Sequence, residues 1–344
     1  MKILLIKLGA LGDVLRTTPL VTALKEKYPA SHLTWVVDHA HADVLAGIGP
    51  IDRLWPYAGR TLLVLKKENF DLAINLDKEE AALDCLMAAR APKKMGFGRG
   101  ADGALCLMDR FSDYAWRLGL DDTLKFRQNK KTYQQISFEQ AGLVFSGQEY
   151  LFCLDRESVR AMDDGLKSLG VTFKTCARPI VGLNTGSGSR FAGKKLPLLT
   201  YADLIRKLSD RLGATIFLLG GREEIERNRQ IQEICSRPVV NTGSHTIRRF
   251  AAIVKRCDLV VSGDTTAMHV AIAMKVPVVA HFASTCAAEI ELYGRGVKIV
   301  SPISCAPCYK RVCPIDEQCM KDMEPEDIFQ AVQACLGRNA VARP

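Results

Sequence analysis

A glycine-rich stretch near the start of the chain, "KLGALGDVLRTTPL", joins an apolar run to a helical pattern and carries a carboxylate. Gly9 and Gly12 let the backbone turn sharply and approach a ligand closely. Asp13 follows at a position where an aspartate is by default an N-terminal helix cap, although it can also serve as a general base. Position alone favours the cap. The stretch lacks the third glycine of the dinucleotide-binding fingerprint, which disfavours a dinucleotide oxidoreductase.

A second loop, "NTGSGSRFAGKKLP", follows a predicted strand at residues 184–197. It offers several glycines, the hydroxyls of Thr185 and Ser187, and the adjacent ammonium groups of Lys194 and Lys195. Backbone amides and ammonium groups at the end of a strand are suited to binding phosphate. The alternative is a flexible surface loop, and the position at a strand end favours the phosphate site.

A third stretch, "SGDTTAMHVAIA", opens a predicted helix with several hydrogen-bonding side chains. A helix N-terminus attracts anions, and the hydroxyls of Thr265 and Thr266 add donors to its amides. Asp264 would repel phosphate but would accept hydrogen bonds from sugar hydroxyls, so the mixture favours a phosphorylated sugar over phosphate alone. His269, about one turn further on, is by itself more typical of a packed helix residue.

The stretch "GGREEIE" supplies a fourth strand end. Glu223 and Glu224 can accept hydrogen bonds from a ribose there, and a solvated first helical turn explains them equally well. The ribose hypothesis is kept for Glu223.

The elements that must position these loops alternate strand and helix in both halves of the chain. Apolar runs such as "KILLIKL", "DLAINL", "IVGLNTG" and "DLVVSGD" are separated by helical stretches, as is typical of parallel sheets wrapped by helices. The 344 residues exceed the usual size of one domain. We therefore predict two doubly wound α/β domains that face a cleft, with the boundary between residues 154 and 179 and ligands at the carboxyl ends of the strands.

The formal charge of +9 favours anionic partners. Nucleic acid is disfavoured, because the chain shows no helix-turn-helix pattern, zinc-finger spacing or aromatic-rich basic strand. A phosphorylated small molecule or an anionic membrane surface fits the same charge. No apolar run approaches the ~20 residues that span a bilayer, and glycine and aspartate interrupt the first one. The sequence therefore predicts a cytoplasmic protein.

Taken together, "KLGALGDVLRTTPL", "NTGSGS…KKLP" and "VVSGDTTAMHVAIA" resemble the motifs of glycosyltransferase family 9, the ADP-heptose:lipopolysaccharide heptosyltransferases and their relatives. The resemblance runs over almost the whole chain, with the motifs in order. It implies a GT-B fold with an acceptor-binding domain at residues 1–160, a nucleotide-sugar-binding domain at 175–320 and a C-terminal helix at 321–344. It also implies an inverting enzyme that uses an ADP-activated heptose and needs no metal for catalysis.

The resemblance assigns roles to single residues. The family's proposed base is the aspartate of its first glycine loop, which matches Asp13 and replaces the cap interpretation. Its phosphate-binding lysine precedes a proline, a position that Lys194 fits better than Lys195, although Leu196 stands where an aromatic residue is usual. Arg16 would bind an acidic group of the acceptor, and a surface helix residue is an equal alternative.

The family's aspartate-threonine-glycine element matches Asp264 and Thr265. Thr266 replaces the glycine. A side chain there would narrow the donor pocket, so the sequence does not determine which sugar the donor carries. In the implied mechanism Lys194 and the amides around Thr265 stabilise the charge that develops on the diphosphate, in place of a metal ion.

Four cysteines, Cys305, Cys308, Cys313 and Cys319, lie close together in "CAPCYKRVCPIDEQC". A C-x-x-C pair followed by two more thiols suits a tetrahedral zinc or iron ion, and four unpaired structural thiols are the alternative. A similar cluster occurs in many relatives within the family, and some relatives that glycosylate proteins hold a cysteine-bound iron. The prediction is a structural metal ion far from the proposed base.

The leading prediction is a transferase that moves heptose from ADP-heptose to an acidic inner-core lipopolysaccharide acceptor, in peripheral contact with the inner face of the cytoplasmic membrane. A protein hydroxyl as acceptor would keep the same chemistry. A non-catalytic protein that binds a nucleotide-sugar or a metal is a further alternative. The joint presence of Asp13, Lys194 and Asp264 argues against it, because a sensor needs no base.

Overall fold

The structure, a computed structural model, describes residues 1–173, 176–188, 191 and 193–341. The chain forms two compact units. The first comprises Met1–Cys153 together with Ala288–Glu291, and the second comprises Leu154–Ala287 and Leu292–Pro344. Within the described part of the chain, no helix is long and apolar enough to cross a membrane.

The first unit is a six-stranded sheet with helices between the strands. Its strands are β1 (Lys2–Ile6), β2 (His32–Asp38), β3 (Arg53–Tyr57), β4 (Leu72–Asn75), β5 (Lys93–Arg99) and β6 (Leu105–Leu107). Its helices are α1 (Leu11–Thr17), α2 (Pro19–Lys27), α3 (Thr61–Leu65), α4 (Glu80–Ala88), α5 (Asp113–Leu118) and α6 (Tyr133–Gln140). The strand order is β3-β2-β1-β4-β5-β6, with β6 antiparallel to β5 and the other neighbours parallel.

The central strands of this unit are buried on both faces. Every residue from Ile3 to Ile6 has no exposed surface, which is the pattern expected of a parallel strand covered by helices on both sides. The order of the strands changes direction between β1 and β4. The loops that leave these two strands therefore lie at the sheet edge where doubly wound folds bind ligands.

The second unit contains another six-stranded sheet, and all its neighbouring strands are parallel. Its strands are β7 (Ile180–Asn184), β8 (Thr215–Leu219), β9 (Val240–Asn241), β10 (Leu259–Gly263), β11 (Val278–Phe282) and β12 (Gly296–Val300). Its helices are α7 (Arg156–Ser168), α8 (Leu198–Leu212), α9 (Ile225–Ile234), α10 (Ile247–Arg256), α11 (Thr266–Ala273), α12 (Gln318–Lys321) and α13 (Pro325–Val341). The order is β12-β11-β10-β7-β8-β9, so the direction changes between β7 and β10.

Helix α8 shows how the sequence sets these elements. Leu204, Ile205 and Leu208 recur at helical spacing and are fully buried in the core of the second unit. Gly213 ends the helix with a φ of 61°, in the left-handed region that a C-terminal glycine adopts without steric cost. The prediction of two doubly wound parallel-sheet units is confirmed, with β6 added as an antiparallel edge strand.

Candidate functional site

Asp13 lies in the first turn of α1, but it does not cap that helix. The helix begins at Leu11, so the capping position belongs to Ala10, and the cap interpretation from position alone is wrong. Oδ1 of Asp13 lies 2.8 Å from Nη2 of Arg16 instead. The Asp13 side chain is 30% exposed, which leaves its carboxylate within reach of a substrate. Its role as a base stays a prediction.

The Arg16 side chain is largely buried and packs against other residues of the first unit, so it does not lie on a solvated helix face. Its side chain is only 16% exposed, and its guanidinium carbon lies 3.9 Å from the centre of the Tyr133 ring. Nη1 also approaches Oε2 of Glu289 at 3.7 Å. The guanidinium therefore stands between two carboxylates of the first unit, where it can exchange one of them for an acidic group of a ligand.

The second glycine loop starts from a network of side chains at the end of β7. The amide of Asn184 donates to the carbonyl of Gly186 at 2.8 Å and lies 3.2 Å from the hydroxyls of Ser262 and Thr265. This network joins β7 to the last residues of β10 and the loop that follows it, across the point where the strand order changes. It fixes where the loop leaves the sheet.

The two predicted hydroxyl donors of this loop have different surroundings. Thr185 is fully buried, and its hydroxyl donates to Asn228 in α9. Ser187 is partly exposed and contacts only the adjacent carbonyl of Gly188, at 3.4 Å, among the hydrogen bonds of the described residues. Of the two, Ser187 has the hydroxyl that a ligand can reach.

Lys194 lies beside the start of α11. Its Nζ is 3.6 Å from Oδ2 of Asp264, and Oδ1 of that carboxylate is 3.8 Å from Nε2 of His269. Thr265 occupies the capping position of α11, and Thr266 is its first helical residue. The structure thus brings together all five of these predicted donor-site residues in the second unit.

Of the two glutamates after β8, the structure places Glu224 against the second loop. Glu223 is exposed, whereas Glu224 is 7% exposed and accepts a hydrogen bond from the Gly221 amide at 2.9 Å. A methyl group on Gly186 would lie 2.0 Å from Oε1 of Glu224, so the carboxylate packs directly on that glycine. Ribose binding by Glu223 stays a prediction.

Two residues near this site carry no signal in the sequence patterns. Arg227 in α9 donates from Nε to the carbonyl of Thr185 at 2.9 Å and from Nη2 to the carbonyl of Leu196. His281 is the next-to-last residue of β11 and is 2% exposed, and neither ring nitrogen has a hydrogen-bond partner among the described residues. Burial, assisted by the charge of Lys194, lowers the pKa of His281 to about 4, so its imidazole is neutral at pH 7.

The four clustered cysteines line one small cavity together with Gly193, next to Lys194. Burial, followed by the neighbouring thiols, raises the pKa of Cys319 to about 11. However, the described residues contain no group of three or more His, Cys, Asp or Glu side chains arranged to hold a metal ion. The expected structural zinc or iron at Cys305, Cys308, Cys313 and Cys319 is therefore not supported: spacing gathers the thiols, but it does not create ligand geometry.

Comparison with known proteins identifies the family of the chain. The model of "Glycosyltransferase family 9 (heptosyltransferase)" matches residues 60–318. Lipopolysaccharide heptosyltransferase 1 of Pseudomonas aeruginosa is 24% identical over 370 aligned positions, which cover 98% of both chains. Lipooligosaccharide heptosyltransferase 2 of Campylobacter jejuni is 25% identical over 169 residues, which cover 45% of this chain and 51% of the relative.

The chain thus spans about half the length of that Campylobacter relative, but nearly all of the Pseudomonas one. Among solved structures, the E. coli ADP-heptose lipopolysaccharide heptosyltransferase II superposes with a TM-score of 0.72 at 18% identity, over 99% of this chain and 100% of that one. This likeness, together with the two doubly wound sheets, identifies the fold as GT-B. The chain belongs to glycosyltransferase family 9, the heptosyltransferase family.

Proposed function

We propose that the protein transfers heptose from ADP-heptose to an acidic inner-core lipopolysaccharide acceptor, with inversion at the anomeric carbon and Asp13 as general base. The observation that carries the proposal is the ammonium of Lys194 beside Asp264 at the start of α11, in a chain of the heptosyltransferase family. The named relatives act in lipopolysaccharide or lipooligosaccharide synthesis, and one solved relative is named for ADP-heptose.

The donor chemistry follows from the charges at the end of β10. A diphosphate would draw the Lys194 ammonium away from Asp264, because the present 3.6 Å separation is longer than a hydrogen bond. The amides at the start of α11 add further donors to the same anion. Asp264 would then accept hydrogen bonds from sugar hydroxyls. These groups stabilise the charge on the departing ADP, so the reaction requires no metal ion.

On the acceptor side, the reacting hydroxyl forms a bond to the anomeric carbon while the bond from that carbon to the diphosphate oxygen breaks. The hydroxyl proton passes to a carboxylate oxygen of Asp13, and ADP leaves as the anion. Nη2 of Arg16 lies 2.8 Å from Oδ1 of Asp13. An acidic acceptor would bind to Arg16 in its place and so release the base at the moment when the acceptor hydroxyl is present.

An acceptor of this kind is carried on a lipid. We therefore infer that the protein works in peripheral contact with the inner face of the cytoplasmic membrane, and the formal charge of +9 supports attraction to an anionic surface.

The test is ADP release from ADP-heptose, with and without lipopolysaccharide stripped to its innermost acidic sugars. We expect acceptor-dependent release that falls about 100-fold or more in Asp13→Asn, because a general base contributes at least that factor. Asp122→Asn is the matched control, since Asp122 is an exposed carboxylate of the same unit.

Each part of the proposal has its own contrary result. Binding of ADP-heptose without release on any glycan would refute the lipopolysaccharide acceptor and favour a protein hydroxyl as acceptor or a non-catalytic nucleotide-sugar-binding protein. No binding of ADP-heptose would refute the donor. Equal rates in Asp13→Asn and Asp122→Asn would refute the base.

A further inference from the structure

A buried ion pair connects the two strands at which the first sheet changes direction. Lys7 follows β1, Asp77 follows β4, and the ammonium of Lys7 binds Oδ1 of Asp77. Both side chains are less than 10% exposed. A buried pair of this kind is weak evidence of a stabilising role, because apolar residues of similar volume often serve equally well. Its position beside the first glycine loop suggests another purpose.

Asp77 fixes the backbone of that loop. Its Oδ2 accepts hydrogen bonds from the amides of Leu8 at 2.6 Å and Gly9 at 3.0 Å. Asn75 fixes Asp77 in turn, because its side chain accepts from the Asp77 amide at 3.0 Å and donates to the Asp77 carbonyl at 2.8 Å. The carboxylate therefore holds the loop that leads to Asp13 by contacts with two successive amides.

Lys7 lies close to the side chain of Asp13. A methyl group on Gly9 would be 2.8 Å from Nζ of Lys7 and 3.4 Å from Cβ of Asp13, so both side chains border the space beside the Gly9 α-carbon. Burial opposes the charge on Lys7, but Tyr133, Asp77 and Asp13 more than offset it and raise the pKa of Lys7 above its ordinary value. The ammonium therefore keeps its charge at neutral pH.

Further charged and titratable groups surround Asp13 in the described part of the chain. Arg16 of α1 lies 2.8 Å from its carboxylate, and Glu289 lies on the far side of that guanidinium. Tyr133 of α6 lies under both Arg16 and Lys7. His41 places Nδ1 3.1 Å from the carbonyl of Leu8.

We propose that Lys7 and Asp77 act together as positioning residues for Asp13. Asp77 fixes the backbone of the loop and neutralises part of the positive charge of Lys7. The remaining positive charge keeps Asp13 ionised until Asp13 accepts the proton of the acceptor hydroxyl. The inference rests on the proposed role of Asp13 as base. Asp77 also prevents Lys7 from pairing with Asp13 outright, which would block the base.

Two variants with opposite expected effects test the proposal. In Asp77→Asn the ammonium of Lys7 loses its counter-charge, so the acid limb of the kcat/KM profile moves down by about one pH unit and the plateau falls. In Lys7→Met/Asp77→Asn both charges are removed, so no buried charge is left unpaired and the acid limb moves up by about one unit.

Lys25→Met/Asp52→Asn serves as the matched control. Lys25 and Asp52 also form a lysine–aspartate pair of the first unit, 2.5 Å apart, and it lies outside the glycine loop. We expect it to leave the pH profile unchanged.

A second readout does not depend on catalysis. The carboxyl carbon of Asp13, labelled with ¹³C and assigned by its absence in Asp13→Asn, is titrated by NMR in the same variants. Opposite shifts in the two variants support the proposal. Shifts in one direction, or none, overturn it whether or not the enzyme is active. Absence of Asp13-dependent transfer in the wild type would instead refute the proposed function, so the two failures are distinguishable.

Discussion

Replacing Arg227 by methionine should loosen the loop that carries Lys194. The guanidinium of Arg227 bonds to the carbonyls of Thr185 and Leu196, and so spans the loop close to both its ends. Both of those residues are fully buried, so water cannot easily take the place of the guanidinium. Lys194 lies two residues before the second contact.

The expected loss follows from the number and type of these contacts. A hydrogen bond from a charged donor contributes about 1.5–3 kcal/mol to stability. Because Arg227 is itself partly exposed, we expect the two bonds together to lower the free energy of unfolding of the second unit by about 2–3 kcal/mol. For a domain of this size that is a fall in Tm of roughly 4–12 °C.

Binding of the donor should weaken as well, because Lys194 is no longer held beside Asp264. We expect a dissociation constant for ADP-heptose about tenfold higher, which corresponds to ~1.4 kcal/mol. Arg227→Lys should fall between the wild type and Arg227→Met, since a single ammonium cannot reproduce the two-pronged contact. Thermal unfolding and isothermal titration calorimetry measure the two effects on the same samples.

Arg229→Met provides the control in the same helix. Arg229 is exposed and pairs only with Glu226 and Glu233 among the described residues, so its loss should leave both the melting temperature and the donor affinity unchanged. If Arg227→Met behaves like Arg229→Met in both assays, the two carbonyl contacts do not position the loop and the reasoning is wrong.

Three further predictions concern the second unit. Gly186→Ala places a methyl group against a buried carboxylate, so donor affinity by calorimetry should fall at least tenfold, whereas Gly221→Ala, which meets only an ordinary contact, should bind as the wild type does. His281 has a folded pKa of about 4 against an ordinary 6.5, so the stability that its neutral form contributes is present above pH 6.5 and is lost as pH falls toward 4. The urea concentration at the midpoint of unfolding should therefore depend less on pH in His281→Leu than in the wild type across that range. An equal pH dependence in both proteins would contradict the pKa. Burial raises the pKa of Cys319 to about 11, so iodoacetamide at pH 7.5 should alkylate exposed Cys305 well before Cys319 by peptide mass spectrometry; the reverse order would contradict the burial.

Local patterns predicted the two sheets and the residues at their strand ends. The alternation of apolar runs with helical stretches repeats in both halves, and Asp264 and Thr265 follow a buried strand as the sequence indicates. The cap interpretation of Asp13 failed because capping depends on the residue at which the helix begins. A stretch with two glycines leaves that point open: α1 begins at Leu11, so Gly12, predicted to lie in the loop, is inside the helix.

Other features could not be predicted because they arise from contacts between distant parts of the chain. Arg227 reaches Thr185, which lies 42 positions earlier in the sequence. Glu223 and Glu224 are adjacent residues of the same type, so the sequence does not distinguish them. The backbone conformation decides which of the two carboxylates lies against the second loop. The metal prediction for the four cysteines is unsupported for a different reason. Their spacing in the sequence brings the thiols to one cavity, but metal binding requires directions and distances that the spacing does not encode.

The first unit is discontinuous in sequence, and this affects how the protein can be divided. Residues Ala288–Glu291 belong to it although they lie far beyond Cys153. A fragment that ends at Cys153 therefore lacks Glu289, the second carboxylate beside Arg16. Likewise, a chimera of two family members joined at that point would take the arginine from one parent and its acidic partner from the other. Modular exchange between relatives must therefore transfer this short segment together with the N-terminal half.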